Sequence, residues 1–480
     1  MATIGSLGVG SGLDLNGLLD KIAAAEKAPL NAIKARQGSY NAKLSAYGTL
    51  QSLIDTLKSA ATKLGDAGFM GGFKSTSSAT GVLTSSADST AAAGSYTVNV
   101  TALAKAQSLV SQRVADTAAD IGADAATLTI DFGVAGAPFV PNTAKTAVSV
   151  SLEAGKTSLS DIRDAINKAA GGAVSASIVN DGAGSRLVLA ATGTGQGGSM
   201  RVTVAAAGAG SLNTDLQALV VYDPDGAKAL EEKVAAQDAA LTVNGIAVTS
   251  ATNTVAEAIQ GVAMTLVGTG TSTVQVERDA GAVSTAVKDF VDAYNKLNAK
   301  VKDLSAYNAD KKSGGTLLGD ATARMVQSRM RATLFVPQMG QAGDPTLLSE
   351  IGISFEKDGT LAIKTSTLDA ALSANPMGVA RLFTGGTSPL STGIAPGFAS
   401  VIDSLAADKE GESLDGLLTL AMSGARKSIA LLDKDAARVQ DRIDAKIEIY
   451  RTQFRQLDMV MSSMSATSNY LTQQFANKST

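Results

Sequence analysis

The C-terminal stretch, residues 427–475, reads KSIALLDKDAARVQDRIDAKIEIYRTQFRQLDMVMSSMSATSNYLTQQF. Apolar side chains recur in it at heptad spacing, in two rows. One row holds Ile429, Ala436, Ile443, Tyr450, Leu457, Met464 and Leu471, and the companion row holds Leu432, Val439, Ile447, Phe454, Met461, Ser468 and Phe475. Two such rows form the seam of a coiled coil. A helix of this length extends about 70 Å at 1.5 Å per residue, so it needs a partner of similar length.

The N-terminal part of the chain offers that partner. The same spacing returns with Leu30, Ile33, Tyr40, Leu44, Tyr47, Ile54, Leu57, Ala61 and Leu64, and polar Gln37 and Gln51 fall on the seam. A shorter helix precedes it, with Leu15, Leu18, Leu19 and Ile22 on one face, and Pro29 breaks or kinks the chain between the two. Joining distant chain ends is entropically mild, because each doubling of loop length adds only about 0.6 kcal/mol. We therefore expect the two ends to pack together.

The middle of the chain has the composition of β domains. From residue 73 to residue 277 it is rich in Thr, Ser, Gly, Ala and Val in segments of period two. Within this region, Ser158 and Gly171 delimit a predicted helix, and Asn244-Gly245 is predicted to form a hairpin turn. Helical spacing returns after residue 283, and residues 385–416 are predicted to be rich in loops.

These patterns predict an α+β multidomain protein. Its N- and C-terminal helices form a coiled-coil or helical-bundle leg, and β-rich head domains are inserted between them. The predicted leg comprises residues 1–34 and 446–480 and is partly disordered in the free protein, including an uncharged, Gly-rich start over residues 1–12. A helical stem comprises residues 35–72 and 280–445. An inner head comprises residues 73–125 and 226–279, and an outer head comprises residues 126–225.

Composition excludes many classes of enzyme. The 480 residues include no histidine, cysteine or tryptophan, so Ser-His-Asp and Cys-His sites, zinc sites made from Cys and His, and disulfides cannot be built. The net charge of −3 without a basic stripe argues against nucleic-acid binding. The longest apolar runs are far short of the roughly 18 residues that span a bilayer. The first 20 residues contain no Lys or Arg, which argues against a secretory signal peptide.

Two short motifs suggest ligand sites but have simpler explanations. Gly193, Gly195 and Gly198 spell G-x-G-x-x-G, yet the next residues read as a strand, whereas a dinucleotide site requires a helix there. We interpret this motif as a hairpin loop. Residues 223–226, Asp-Pro-Asp-Gly, lack the spaced carboxylates of a calcium loop and read as a turn. We predict no catalytic residue, no metal ligand and no cofactor.

Five groups of residues, in this order along the chain, resemble one family, the flagellar filament cap proteins, or hook-associated protein 2. They are Ser11-Gly12-Leu13-Asp14 with the helix-Pro29-helix that follows; Ser158 to Asn167 with Asp181-Gly182 and Arg186-Leu187-Val188-Leu189, which look like the repeat of flagellin-type hook proteins; Asn244-Gly245 with Asn253-Thr254-Val255 and Ile259-Gln260-Gly261-Val262; Phe290-Val291-Asp292-Ala293-Tyr294-Asn295; and Tyr470-Leu471-Thr472-Gln473-Gln474-Phe475.

The resemblance implies an oligomeric cap at the tip of the growing flagellar filament. Helical legs would face the filament, β heads would form a plate, and flagellin subunits would fold beneath it. The implied partners are further copies of the chain, flagellin, hook–filament junction proteins and a flagellar export chaperone. The implied location is extracellular, after export through the flagellar type III channel.

Two sets of residues are the candidates for this role. The candidates for contacts between subunits or with the filament are Leu15, Leu18, Ile22, Ile447, Tyr450, Phe454, Leu457, Met461, Met464, Leu471 and Phe475. The candidates for the core of the stem helix are Phe290, Val291, Tyr294 and Leu297.

Three alternatives stay open at the level of sequence. The terminal helices could form a long bundle within one chain rather than an assembly surface. The heads could make the protein a surface adhesin for host glycans or mucin, although aromatic residues, which stack on sugars, make up only 4% of the chain. A glycosidase built on two carboxylates is the third alternative.

Overall fold

The structure is a computed structural model, and it describes residues 12–309, 313–386, 392–406 and 416–476. The start that is predicted to be disordered, residues 1–12, lies outside the described residues except for Gly12. The helices are α1 (Leu15–Glu26), α2 (Ala28–Gly65), α3 (Ala67–Met70), α4 (Leu159–Ala169), α5 (Thr214–Val220), α6 (Ala280–Ser305), α7 (Ala321–Leu334), α8 (Thr365–Ala374), α9 (Pro376–Thr384), α10 (Ile394–Ala406) and α11 (Leu417–Ala476).

Short strands fill the middle of the chain. They are β1 (Phe73–Ser77), β2 (Leu83–Ala87), β3 (Gly94–Ala102), β4 (Ser108–Val110), β5 (Ala126–Val134), β6 (Val140–Pro141), β7 (Val148–Leu152), β8 (Val174–Asn180), β9 (Ser185–Ala191), β10 (Ser199–Ala206), β11 (Glu231–Val234), β12 (Ala239–Val243), β13 (Ile246–Ser250), β14 (Thr254–Ile259), β15 (Val262–Leu266) and β16 (Gly270–Arg278). Four more, β17 (Tyr307–Asn308), β18 (Ser313–Gly314), β19 (Ile353–Phe355) and β20 (Leu361–Ile363), form two hairpins further along the chain.

The chain divides into two compact units, Met1–Met70 with Ala280–Thr480, and Gly71–Asp279. The first unit holds the long helices and the second holds the large sheets. The predicted α+β class, with terminal helices and β-rich segments inserted between them, is therefore confirmed. The finer division into leg, stem, inner head and outer head stays a prediction.

In the helical unit, α2 is the central element. Its Pro29 occupies the first turn, where a missing backbone N–H breaks no helical hydrogen bond. Helices α6, α10 and α11 all pack against α2. The apolar side chains of α2 that are fully enclosed by these neighbours are Leu50, Ile54, Leu57, Ala61 and Leu64.

Helix α10 corrects the sequence analysis, which predicts loops over residues 385–416. Pro396 lies in the first turn of this helix, where proline is tolerated. Phe398 carries its ring into the core and meets the ring of Phe290 edge to face, with the ring centres 5.4 Å apart. The proline and glycine residues of the segment are typical of loops, but burial of its apolar side chains stabilises a helix. The local sequence pattern alone is therefore misleading here.

The β unit contains two separate hydrophobic cores. One core lies with the five-stranded sheet β1-β16-β3-β12-β13 and the three-stranded sheet β14-β15-β2. The other lies with the sheet of β5, β6, β7 and β10, the sheet β11-β4-β9-β8, and helices α4 and α5. All of these strand pairs are antiparallel, as short connections between strands favour.

The strand topology tests two predicted turns. Asn244 and Gly245, with φ of 50° and 85°, join β12 to β13 as the predicted hairpin turn. The G-x-G-x-x-G segment is followed by strand β10, which agrees with the rejection of a dinucleotide site. The segment is not a hairpin loop, however, because β9 and β10 belong to different sheets.

Because the β unit has its own cores, we expect residues 71–279 to fold as an isolated fragment. Circular dichroism should show β structure and a cooperative thermal transition. A fragment ending at residue 269 is the control, since it lacks β16, the strand between β1 and β3. We expect it to lose the part of the transition that comes from the core of that sheet, while the second core still unfolds cooperatively. An unstructured 71–279 fragment would contradict the independence of this unit.

Candidate assembly surface

The terminal helices form an antiparallel pair with a defined register. The Nε2 atom of Gln37 in α2 donates to Oδ1 of Asp433 in α11 at 2.6 Å. Nearer the N-terminus, Nζ of Lys446 lies 2.9 Å from Oε2 of Glu26. Moving toward the N-terminus along α1 and α2 therefore corresponds to moving toward the C-terminus along α11. Both contacts are solvent-exposed, so they contribute little stability, but they specify which residues face each other.

The inner part of the α11 seam is covered within the chain. Ile443 is buried, and Ile447, Tyr450 and Phe454 are half-buried. Helix α1 packs against α11 as well as against α2, which covers this part of the seam.

On α1, Leu15 and Leu19 are buried and Ile22 is half-buried, whereas Leu18 is exposed. Of the four residues on the predicted face, Leu18 therefore lies away from the seam, whereas Leu19 is buried as expected of that face. The side chain of Asp14 caps α1 by accepting a hydrogen bond from the Gly17 N–H at 2.8 Å.

The outer part of the same seam is open. The exposed fractions of its large apolar residues are 42% for Leu457, 37% for Met461, 62% for Met464, 47% for Leu471 and 70% for Phe475. The helix is continuous through this region up to Ala476. The structure therefore separates the predicted contact residues into an inner group that is covered within the chain and an outer group that faces solvent.

The four stem-helix candidates all lie in one buried face of α6. Phe290, Val291, Tyr294 and Leu297 are each at most 3% exposed and belong to the core of the helical unit. The ring of Tyr294 meets Phe355 edge to face at 6.0 Å. This burial raises the pKa of the Tyr294 hydroxyl above its ordinary value.

Asn295, which follows Tyr294, has a structural role that the sequence analysis does not identify. Its side-chain amide forms a two-bond pair with the backbone of Leu361 in β20. Nδ2 of Asn295 donates to the Leu361 carbonyl oxygen at 2.8 Å, and the Leu361 N–H donates to Oδ1 of Asn295 at 2.7 Å. The pair resembles one rung of a β-ladder and joins α6 to the β19–β20 hairpin. A residue of modest helix propensity in the middle of a long amphipathic helix is the signal that could have revealed it.

Two further asparagines make the same kind of pair in the β unit. Asn253 bonds the N–H and the carbonyl of Ala104 at 2.8 and 3.0 Å. Asn167 bonds both groups of Ala176 in β8 at 2.8 Å each. Each of the three asparagines lies inside one of the five motifs quoted above, so these motifs contain backbone-binding side chains as well as core residues.

No metal or membrane site emerges from the described part of the chain. Within residues 12–309, 313–386, 392–406 and 416–476, no group of three or more acidic side chains could hold a metal ion. Over the same residues, no helix has the length and hydropathy needed to cross a bilayer.

Comparisons with known proteins identify the family. The family models for the N-terminus and the C-terminus of flagellar hook-associated protein 2 match residues 11–107 and 236–466, and the model of the flagellin hook IN motif matches residues 127–193. Flagellar hook-associated protein 2 of Escherichia coli K12 is 38% identical over 492 aligned positions, which cover 100% of this chain and 99% of the relative. The chain belongs to the flagellar hook-associated protein 2 family. The resemblance seen in the five motifs is thereby confirmed.

Other members of the family agree. The protein of Salmonella typhimurium is 36% identical over 100% of both chains. The crystal structure of the flagellar cap protein FliD, domains D1-D2-D3, from Escherichia coli matches with a TM-score of 0.65 and 34% identity. That match covers 79% of this chain and 99% of the crystallised chain.

The Asn295 pair gives a test of this interpretation of the motifs. Asn295→Ala leaves the buried N–H and carbonyl of Leu361 without these partners, so we expect the free energy of unfolding to fall by about 1–3 kcal/mol. Urea unfolding of the purified full chain measures the change. Asn31→Ala, at an exposed position of α2, is the matched control and should be neutral. Equal stability of the two variants would show that the Asn295 pair contributes nothing.

Proposed function

We propose that this protein is a structural subunit of the flagellar filament cap, an oligomer at the distal tip of the filament. It promotes flagellin folding and polymerisation beneath it and prevents flagellin from leaking into the medium. The observation that carries the proposal is the open outer half of the α11 seam, in a chain of the flagellar hook-associated protein 2 family.

The energetics favour contacts between molecules at this seam. Covering one large apolar side chain contributes about 1.5–3 kcal/mol relative to leaving it exposed. A contiguous row of exposed apolar residues on one helix is characteristic of an interaction surface. Because the row continues a seam that is already closed within the chain, another helix could extend the same packing without a change in the fold.

The inner and outer groups of candidates have different roles in this proposal. Leu15, Ile22, Ile447, Tyr450 and Phe454 close the helix pair within one subunit and hold α11 in position. The outer residues contact other subunits or filament proteins, and they are Leu457, Met461, Met464, Leu471 and Phe475. Several short apolar contacts, each modest, suit a cap that must release and rebind as subunits are added beneath it.

The proposal also includes partners and location. The protein works extracellularly at the filament tip after type III export. It binds copies of itself and flagellin, meets the hook–filament junction proteins before the filament grows, and is delivered by an export chaperone. The role requires no catalytic step, which fits a chain without histidine or cysteine.

A pair of substitutions on α11 tests the assembly role. We expect Leu457→Asp to leave the thermal transition unchanged, since Leu457 is already 42% exposed, and to prevent filament growth, with flagellin monomers released into the medium. The matched control is Met459→Asp, which makes a similar change at an exposed residue on another face of the helix, about 200° around the axis. It should support normal filaments. The measurements are melting of the purified variants and flagellin in culture supernatants. Normal filaments with Leu457→Asp would refute the assembly role of the outer seam.

A further inference from the structure

Helix α7 has a second, solvent-exposed face in addition to the one that it buries in the core. Its inner face is buried in the core of the helical unit through Ala323, Val326, Met330 and Leu334. A stripe on the opposite side has spacings of four, three, four and three residues, as in a coiled-coil seam. We call it the α7 stripe, and its residues, all exposed, are Ala321, Met325, Ser328, Ala332 and Phe335.

A cleft lies at the C-terminal end of the α7 stripe. It has a volume of about 550 Å³, and Phe335 and Phe355 are among its lining residues, together with Leu334, Leu347 and Arg331. The two phenylalanine rings stack with centroids 4.4 Å apart and planes inclined by 18°. The Arg331 guanidinium lies 5.7 and 5.4 Å from the two ring centres. Aromatic residues and arginine in a concave site are the typical composition of an interface hot spot.

The loop after α7, which contributes to this cleft, is held in place by an ion pair whose carboxylate is buried. Asp344, whose side chain is 3% exposed, accepts from Nε and Nη2 of Arg381 at 2.7 Å each. These hydrogen bonds hold the pKa of Asp344 well below its usual range. The Asp344 carboxylate also accepts from the Gln341 N–H at 2.9 Å. The cleft is therefore preformed rather than created by a ligand.

The charged side chains on helix α7 itself all have one sign. Helix α7 contains three arginines and no acidic residue. The helical period puts Arg324 and Arg331 along one side of the stripe and Arg329 along the other. Within the described residues, none of the three pairs with a carboxylate: Arg324 bonds backbone oxygens, Arg329 bonds the Ser404 hydroxyl, and Arg331 covers the two rings.

At the rim of the cleft, the negative charge of Glu356 and the positive charge of Lys357 cancel. The three arginines therefore determine the net charge of this surface.

We propose that the α7 stripe and its cleft are a docking surface for an acidic amphipathic helix of another protein. One apolar side chain of that helix enters the cleft beside Phe335 and Phe355, and carboxylates along both edges of its apolar row pair with the three arginines. The stripe is about 21 Å long, which matches about two heptads of partner helix. This surface lies on α7, not on α11, so it goes beyond the proposed role of the outer seam.

Charge selects this partner over a second copy of the chain. The long helix α11 is the obvious apolar helix of a second copy, but its open stretch from Leu457 to Phe475 contains a single acidic residue, Asp458. Such a helix would leave at least two of the three arginines of α7 without a carboxylate. An acidic helix meets all three arginines with opposite charge, which also speeds association.

The test uses the full-length protein and a labelled helical peptide of about three heptads, with Leu at the seam positions and Glu at the flanking positions. Two peptides serve as matched probes: one has Lys in place of every Glu, and the other has the same composition in scrambled order. Fluorescence anisotropy should show binding of the Glu peptide, weakening with added salt, and none of the other two. Equal binding of the Lys or scrambled peptide would overturn the proposal.

Variants locate the binding site. Phe335→Ser and Arg331→Glu should each weaken binding of the Glu peptide by about tenfold or more, as expected of hot-spot residues. Leu431→Ser, at an exposed apolar residue of α11, is the control and should bind normally. The triple change of Arg324, Arg329 and Arg331 to Glu should reverse the preference and bind the Lys peptide. An unchanged affinity in Phe335→Ser would place the peptide elsewhere and refute the inference.

Two further measurements distinguish an acidic helix from two other possible occupants of this surface. A basic amphipathic face can also bind anionic membranes, so the protein is mixed with vesicles of phosphatidylserine and phosphatidylcholine. If the wild-type protein sediments with these vesicles and the Arg331→Glu variant does not, the face binds lipid instead. If the wild-type chain self-associates and Phe335→Ser abolishes this association, the face binds a second copy of the chain. We expect neither vesicle binding nor self-association through this face.

Discussion

The fold of the helical unit depends on apolar packing along one face of α2. Leu50, Ile54, Leu57 and Leu64 are enclosed by α6, α10 and α11, which come from the far end of the chain. The burial of these side chains, each contributing about 1.5–3 kcal/mol, outweighs the mild entropic cost of closing a long loop. That balance lets the 71–279 unit be inserted without disturbing the packing of the terminal helices.

Polar side chains fix the positions of elements where apolar packing alone would leave them free to slide. Asn167, Asn253 and Asn295 each bind both backbone groups of one residue in a neighbouring segment. Apolar contacts are non-directional, whereas a two-bond amide pair has one geometry. Gln37 with Asp433 has the corresponding effect in the helix pair, where a polar residue in the seam defines the register.

Much of the secondary structure follows from local pattern. The helix that begins after Ser158 and the turn at Asn244-Gly245 could be predicted because capping and turn residues act over a few residues. Helix α10 could not, because its stability comes from burying Phe398 and its neighbours, which is a property of the assembled core. The asparagine pairs could not be predicted either, since their partners lie up to 149 residues away.

The sequence by itself determined the family, the packing of the two helical ends against each other and the heptad seam, because periodicity and motif order are properties of the chain alone. Only the tertiary structure decided which part of the seam is open. The spacing is the same at Tyr450 and Leu457, yet helix α1 packs along the inner part and leaves Leu457 exposed. The same holds for α7. This helix has apolar residues on two faces, and only the tertiary structure decides which face is buried in the core. Burial depends on which elements meet in space, and a residue pattern does not contain that information.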